Sequence, residues 1–72
     1  MNKFIVFYGQ QVFGEYEKPD IWTRVDVFPD GCYMRNPMGN WYIRIGGGFT
    51  PINLCDIPPE VRVNCLLLGI PL

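Results

Sequence analysis

Histidine and serine are absent from this chain, and threonine occurs only as Thr23 and Thr50. The missing imidazole removes the commonest general base, the commonest metal ligand and the usual pH switch. With so few hydroxyls, a nucleophile would have to be a cysteine, with tyrosine, lysine or a carboxylate as its base. Cys32, Cys55 and Cys65 form no CxxC pair, and no metal-ligand spacing is present. Their neighbours are apolar, so all three read as reduced, buried thiols. Paired carboxylates such as Asp26 with Glu15 or Glu17 would need a cleft to split their pKa values, and so short a chain has little room for one. The reading is a chain that is not an enzyme, with no catalytic residue, no metal site and no cofactor.

Charge is also scarce. Charged residues make up 18% of the chain and the net charge is -1. Lys3, Lys18, Arg24, Arg35, Arg44 and Arg62 are scattered, with no basic run of the kind that captures phosphates. Nucleic acid is therefore not the expected partner, although a fold that gathered Arg24, Arg35 and Arg44 on one sheet would reopen the question. Long apolar runs are missing too. Phe4 to Tyr8 is too short for a signal-peptide core, and Leu66-Leu67-Leu68 is too short to span a bilayer. A cytoplasmic, self-contained product that does not enter the membrane is expected.

Apolar and aromatic residues, by contrast, are abundant: 49% of the chain is hydrophobic and 15% aromatic. The 72 residues make a single domain. A chain of this length buries roughly 60% of its unfolded surface, which leaves a thin stability margin. Part of the apolar surface has no room inside a monomer, which points to self-association or a bound partner.

The patterning predicts an α+β fold, with an antiparallel hairpin meander of about three to five strands covered by one C-terminal helix. Lys3 to Tyr8 reads as a strand ended by Gly9. Val12 to Glu17 is either a second strand paired to the first or a loop, because Gly14 weakens it. Ile21 to Phe28 alternates with period two, and Pro29-Asp30-Gly31 has the composition of a hairpin loop. That places Phe28 across from Cys32, and Val27, Asp26 and Val25 across from Tyr33, Met34 and Arg35. Asn36 to Asn40 is a second turn. Trp41 to Ile45 is a third strand, with Trp41, Ile43 and Ile45 facing the core and Tyr42 and Arg44 facing out. Gly46-Gly47-Gly48 is a bent exit that lacks the spacing of a phosphate loop. Ile52 and Leu54 alternate, which favours an extended segment after it.

Pro58, Pro59 and Glu60 mark a helix entrance, and Gly69 with Pro71 marks its end, so the helix spans Pro59 to about Leu68. Two apolar stripes run along it. Val61, Cys65 and Leu68 form one, and Val63, Leu66 and Leu67 form the other. A monomer's surface helix needs only one. The second is assigned to self-association, as a homodimer through this helix or a sheet edge, with another protein or the folded-back tail Ile70-Pro71-Leu72 as the competing covers.

Trp, Tyr and Arg are the residue types enriched at binding hot spots. Trp22, Phe28 and Trp41 are expected in the core. Tyr42 and Arg44 are the expected contact residues for a protein partner, joined across the sheet by Tyr33 and Arg35. The functional expectation is a non-catalytic protein-binding module. Its profile is that of the small phage and mobile-element accessory proteins that dock on and inhibit or adapt a larger host complex, such as a defence complex. A single-strand nucleic-acid binder that stacks bases on the hairpin aromatics, or a subunit of a larger assembly, is the alternative.

Overall fold

The computed structural model describes residues 3–9, 11–17 and 27–72. It is one five-stranded antiparallel sheet and one C-terminal helix, the expected α+β arrangement. The strands are β1 (Phe4–Tyr8), β2 (Gln11–Tyr16), β3 (Tyr33–Arg35), β4 (Trp41–Ile45) and β5 (Gly48–Ile52), ordered β2-β1-β3-β4-β5. The helix, α1, spans Pro59–Leu68.

β1 lies between β2 and β3 and is covered on both faces. Phe4, Ile5, Val6 and Phe7 are therefore all buried. An unbroken apolar run is what a strand with two covered faces requires. β2 pairs with β1 as a strand, so Gly14 does not turn the segment into a loop. The ladder slips between Val6 and Phe7, where Val6 faces Gly14 and Phe7 faces Val12, leaving Phe13 as the extra residue of a bulge.

The expected hairpin between Ile21–Phe28 and Cys32–Arg35 does not form. β3 uses both of its edges, one for β1 (Ile5↔Arg35, Val6↔Met34, Phe7↔Tyr33) and the other for β4 (Tyr33↔Ile43, Met34↔Tyr42, Arg35↔Trp41). A third partner has no free N–H or C=O to meet. Of the expected strand, residues 21–26, with Trp22, Arg24 and Asp26, lie outside the described residues. Val27 and Phe28 are not in a strand. Pro29-Asp30-Gly31 does make a turn, but one that turns the chain into β3. The Cys32 N–H donates to the Pro29 carbonyl (3.3 Å), and Gly31, at φ 93°, donates to the Arg44 carbonyl (2.9 Å). The Arg44 N–H donates in turn to the Cys32 carbonyl (2.9 Å), prolonging the β3–β4 ladder by one step.

The other turns follow their residues. Asn36 closes the β3–β4 hairpin with its side chain, whose Oδ1 accepts from the N–H groups of Met38 (3.0 Å) and Asn40 (2.8 Å). Gly46-Gly47-Gly48 forms no loose exit. Gly46 (φ 59°) and Gly47 (φ 91°) are the two central residues of a tight turn, and Gly48 begins β5 opposite Ile45. Positive φ at both positions is the type I′ signature, which matches the twist of the flanking strands. After β5, Leu54–Asp56 forms a single 3-10 turn instead of continuing the extended segment.

Two cores result, one on each face of the sheet. On one face, Ile5, Phe7, Trp41, Ile57, Val61 and Cys65 pack together under α1, with Tyr33, Ile52 and Ile70 at their margin. On the other face, Phe28 plugs a cluster with Phe4, Val6, Cys32 and Met34. Its ring contacts Tyr16, Phe13 and Phe49 at centroid distances of 5.3, 5.8 and 6.0 Å.

α1 starts and stops where its residues predict. Two prolines precede its first internal bonds, and the Val61 and Arg62 N–H groups donate to the Pro58 carbonyl. Gly69 takes φ 72° as the C-terminal stop, and Ile70 donates back to the Cys65 carbonyl (2.8 Å). The Arg62 side chain ties the entrance down by donating to the Ile57 carbonyl (3.1 Å) and the Leu54 carbonyl.

Candidate interaction surface

The four residues expected to form one contact patch do not share a face. Arg35 is paired with Trp41 and Tyr33 with Ile43, so Tyr33 and Arg35 stand on the helix side of the sheet. Tyr42 and Arg44 stand on the other side. Tyr42 packs against the Phe28 core and is half-buried. Arg44, expected to face out, is only 6% exposed. The 29–32 turn bonds to Arg44's own backbone and so runs beside its end of β4. Ile45, expected in the core, is exposed, because it borders the Gly46-Gly47 turn at the end of the strand.

Arg35 is committed to the fold. Its Nε donates to the Pro71 carbonyl (3.0 Å) and its NH1 to the Asn36 carbonyl (3.3 Å). That contact holds the C-terminal tail on the sheet beside α1, where Ile70 packs against the core. The tail therefore does not cover the second helical stripe.

The two stripes separate clearly. Val61 and Cys65 are buried against the sheet at 1% and 0% exposure. Leu68, expected with them, is exposed; it lies on the rim of a recess shared with Ile5, Val12, Arg35 and Ile70. The second stripe is open to solvent, with Val63 at 53%, Leu66 at 81% and Leu67 at 77% exposure. Pro59, Glu60, Val63, Asn64 and Leu67 line a shallow recess of about 420 Å³ on the same surface. Glu60 carries its one charge.

A second recess, of about 460 Å³, opens at the end of β4 and β5 between Asn40, Trp41, Pro51 and Asn53. The Trp41 indole Nε1 is buried without a hydrogen-bond partner. The described residues lining this recess include no carboxylate, thiol or cation.

β5 is poorly suited to recruit another strand. Pairs across a two-residue turn alternate between hydrogen-bonded and non-bonded, starting bonded at Ile45↔Gly48. Phe49 and Pro51 thus direct their backbone outward, and Pro51 has no N–H to offer a further strand. Proline at that position blunts the edge without costing the sheet a bond.

The thiols are not equivalent. Cys32 and Cys65 are buried, and burial raises the pKa of each. A smaller opposing pull comes from the Arg44 charge on Cys32 and from Arg35 on Cys65. Cys55, expected to be buried, is exposed on the 3-10 turn. A thiol reagent should therefore label one cysteine per folded chain and three after denaturation, and two or more labelled in the folded chain would contradict the burial. Because the two buried thiols have raised pKa values, their contribution to stability is complete below the ordinary thiol value of 9.0. It is lost as pH rises through their folded values, since the unfolded chain then ionises first.

Among the described residues, no cluster of three or more His, Cys, Asp or Glu could hold a metal, and no helix is long and apolar enough to cross a membrane. Compared with models of known protein families, with curated proteins and with solved structures, the chain matches none.

Proposed function

We propose that this chain is a non-catalytic protein-binding module whose contact surface is the outer face of α1. One observation carries the reading: a ten-residue helix with an apolar stripe on each side has only one of them covered. Val63, Leu66 and Leu67 follow one another at i, i+3 and i+4, the spacing by which a helix meets another helix in a groove. Fully burying a Val or Leu side chain is worth about 1.5–3 kcal/mol. Three side chains that are already partly covered offer about 4–6 kcal/mol from this side, against an association cost of about 4–15 kcal/mol. The surface thus suits a moderate-affinity contact in which the partner supplies apolar surface of its own. A chain of this kind acts by occupying a site on a larger complex and blocking or adapting it.

The nucleic-acid reading draws less support from the placement of the described arginines. Arg35 and Arg44 lie on opposite faces, Arg44 is buried, and Arg24 is outside the described residues. Lys3 is paired with Glu17 at 3.6 Å.

The test is affinity capture from a nuclease-treated bacterial lysate at moderate salt, with wild type and Leu66→Glu side by side. The expected result is one stoichiometric partner on the wild type, absent from the variant, with identical circular dichroism. Equal capture by both chains would remove α1 as the contact surface. Binding that returns only when nuclease is omitted would restore the nucleic-acid reading.

A further inference from the structure

We infer that the recess between β2 and the end of α1 takes a lysine side chain of the partner, with its ammonium on the Glu15 carboxylate. This rests on the docking reading above and names what the partner brings to the surface beside α1. The recess holds about 340 Å³. Ile5, Val12, Glu15 and Arg35 line it from the sheet, and residues 68–71 form its other wall. Ligand sites span roughly 300–1,000 Å³, so this one suits a single long side chain.

The bulge in β2 builds the recess. Val12 and Glu15 are three apart in sequence, and in a regular strand they would face opposite sides. The extra residue, Phe13, returns them to one face. Val12 pairs with Phe7 and Glu15 with Ile5, and both of those partners are buried beneath α1. Ile5 pairs with Arg35 along its other edge, so Glu15, Ile5 and Arg35 form a row across three strands. At the usual strand spacing the two charged residues are about 10 Å apart at the backbone.

The two charges differ in what they already hold. Arg35 donates to the Pro71 and Asn36 carbonyls. Glu15 has no hydrogen bond or ion pair among the described residues, and Lys3 goes to Glu17 instead (3.6 Å). The end of α1 adds to the same sign, since its last turn carries no basic residue against the negative end of the helix dipole. The open demand is therefore for a cation.

The apolar lining selects lysine among cations. A guanidinium brings five N–H donors, whereas the recess offers one free carboxylate. An ammonium is compact, and its stem lies along Val12, Leu68 and Ile70 while the charge reaches Glu15. Leu68 is 55% exposed and follows Leu67, so a partner seated on the open stripe adjoins the recess.

Titration of the labelled protein with n-hexylammonium, followed by amide NMR shifts, reads the recess without the partner. Saturable shifts are expected at Glu15 and at residues 68–70, with dissociation on the order of 10 mM. Glu15 is exposed, so Glu15→Gln keeps the fold, and it should weaken this binding about fivefold. Equal shifts from n-hexanol and hexylammonium, or no saturable shift, would overturn the inference. Capture of the partner is the second arm. Glu15→Gln should lower the partner's affinity by the same factor, against near-complete loss with Leu66→Glu. A partner held equally by Glu15→Gln and the wild type, but lost by Leu66→Glu, would overturn the lysine and keep the docking reading. Equal capture by all three chains would overturn both.

Discussion

Phe7→Ala is expected to remove most of the domain's stability at 25 °C. Phe7 has no exposed surface and sits at the centre of β1, between β2 and β3. Its ring meets Trp41 at a centroid distance of 5.4 Å, in the core beneath α1. Truncating a buried Phe to Ala costs about 3–5 kcal/mol, from lost transfer energy and from the cavity left behind. A small domain's whole stability lies near the lower end of about 5–15 kcal/mol. Neighbours cannot readily close the gap, because Trp41 and Val61 are themselves packed with at most 2% exposure. Urea unfolding followed by tryptophan fluorescence and circular dichroism gives the comparison. Phe13→Ala, at the bulge and 44% exposed, is the control and should shift the midpoint far less. A Phe7→Ala midpoint equal to that of Phe13→Ala would mean that β1 is not the centre of the sheet.

Val61→Asp should be the most damaging single change in α1, and Val63→Asp, two residues on, should be close to neutral for stability. Val61 is 1% exposed against Ile57 and Trp41, so an aspartate there would bring an unpaired carboxylate into an apolar core. Such a group either stays neutral at a cost or opens the interface, and a loss above about 4 kcal/mol belongs to this class of change. Val63 points away from the sheet at 53% exposure, where substitutions stay within about 0.5 kcal/mol. The pair therefore reads which stripe faces inward, through thermal unfolding of the two variants at the same concentration. Similar losses from both would mean that α1 packs in a different rotation.

How much of this was legible in the sequence differs by element. The helix was, because every signal for it is local: Pro58 and Pro59 at the start, Gly69 at the stop, and a three-to-four-residue spacing of apolar positions between them. β4 was also legible from its own alternation and its turn residues. Even so, period two assigned Arg44 and Ile45 to the wrong environments. Alternation says which side chains share a face, and nothing about what covers that face. Arg44 is buried on its face, while Ile45 is exposed because the strand ends there.

The four expected contact residues divide between two faces. Tyr33, Arg35, Tyr42 and Arg44 are attractive by residue type, but their common face depended on the register of β3 against β4. Arg35 opposite Trp41 splits the four between two faces. The open stripe of Val63, Leu66 and Leu67 came from a periodicity internal to one helix, so no distant pairing was needed to find it.

Local rules thus determined from the sequence alone that the chain is α+β, where its helix begins and ends, and that this helix carries two apolar stripes. Only the tertiary structure decided which strand lies beside β3, that the sheet is buried on both faces, and which stripe remains open. Those outcomes depend on pairings between residues far apart in the chain. β3 has two edges, β1 and β4 take them both, and the alternating pattern of Ile21 to Phe28 records nothing of that competition.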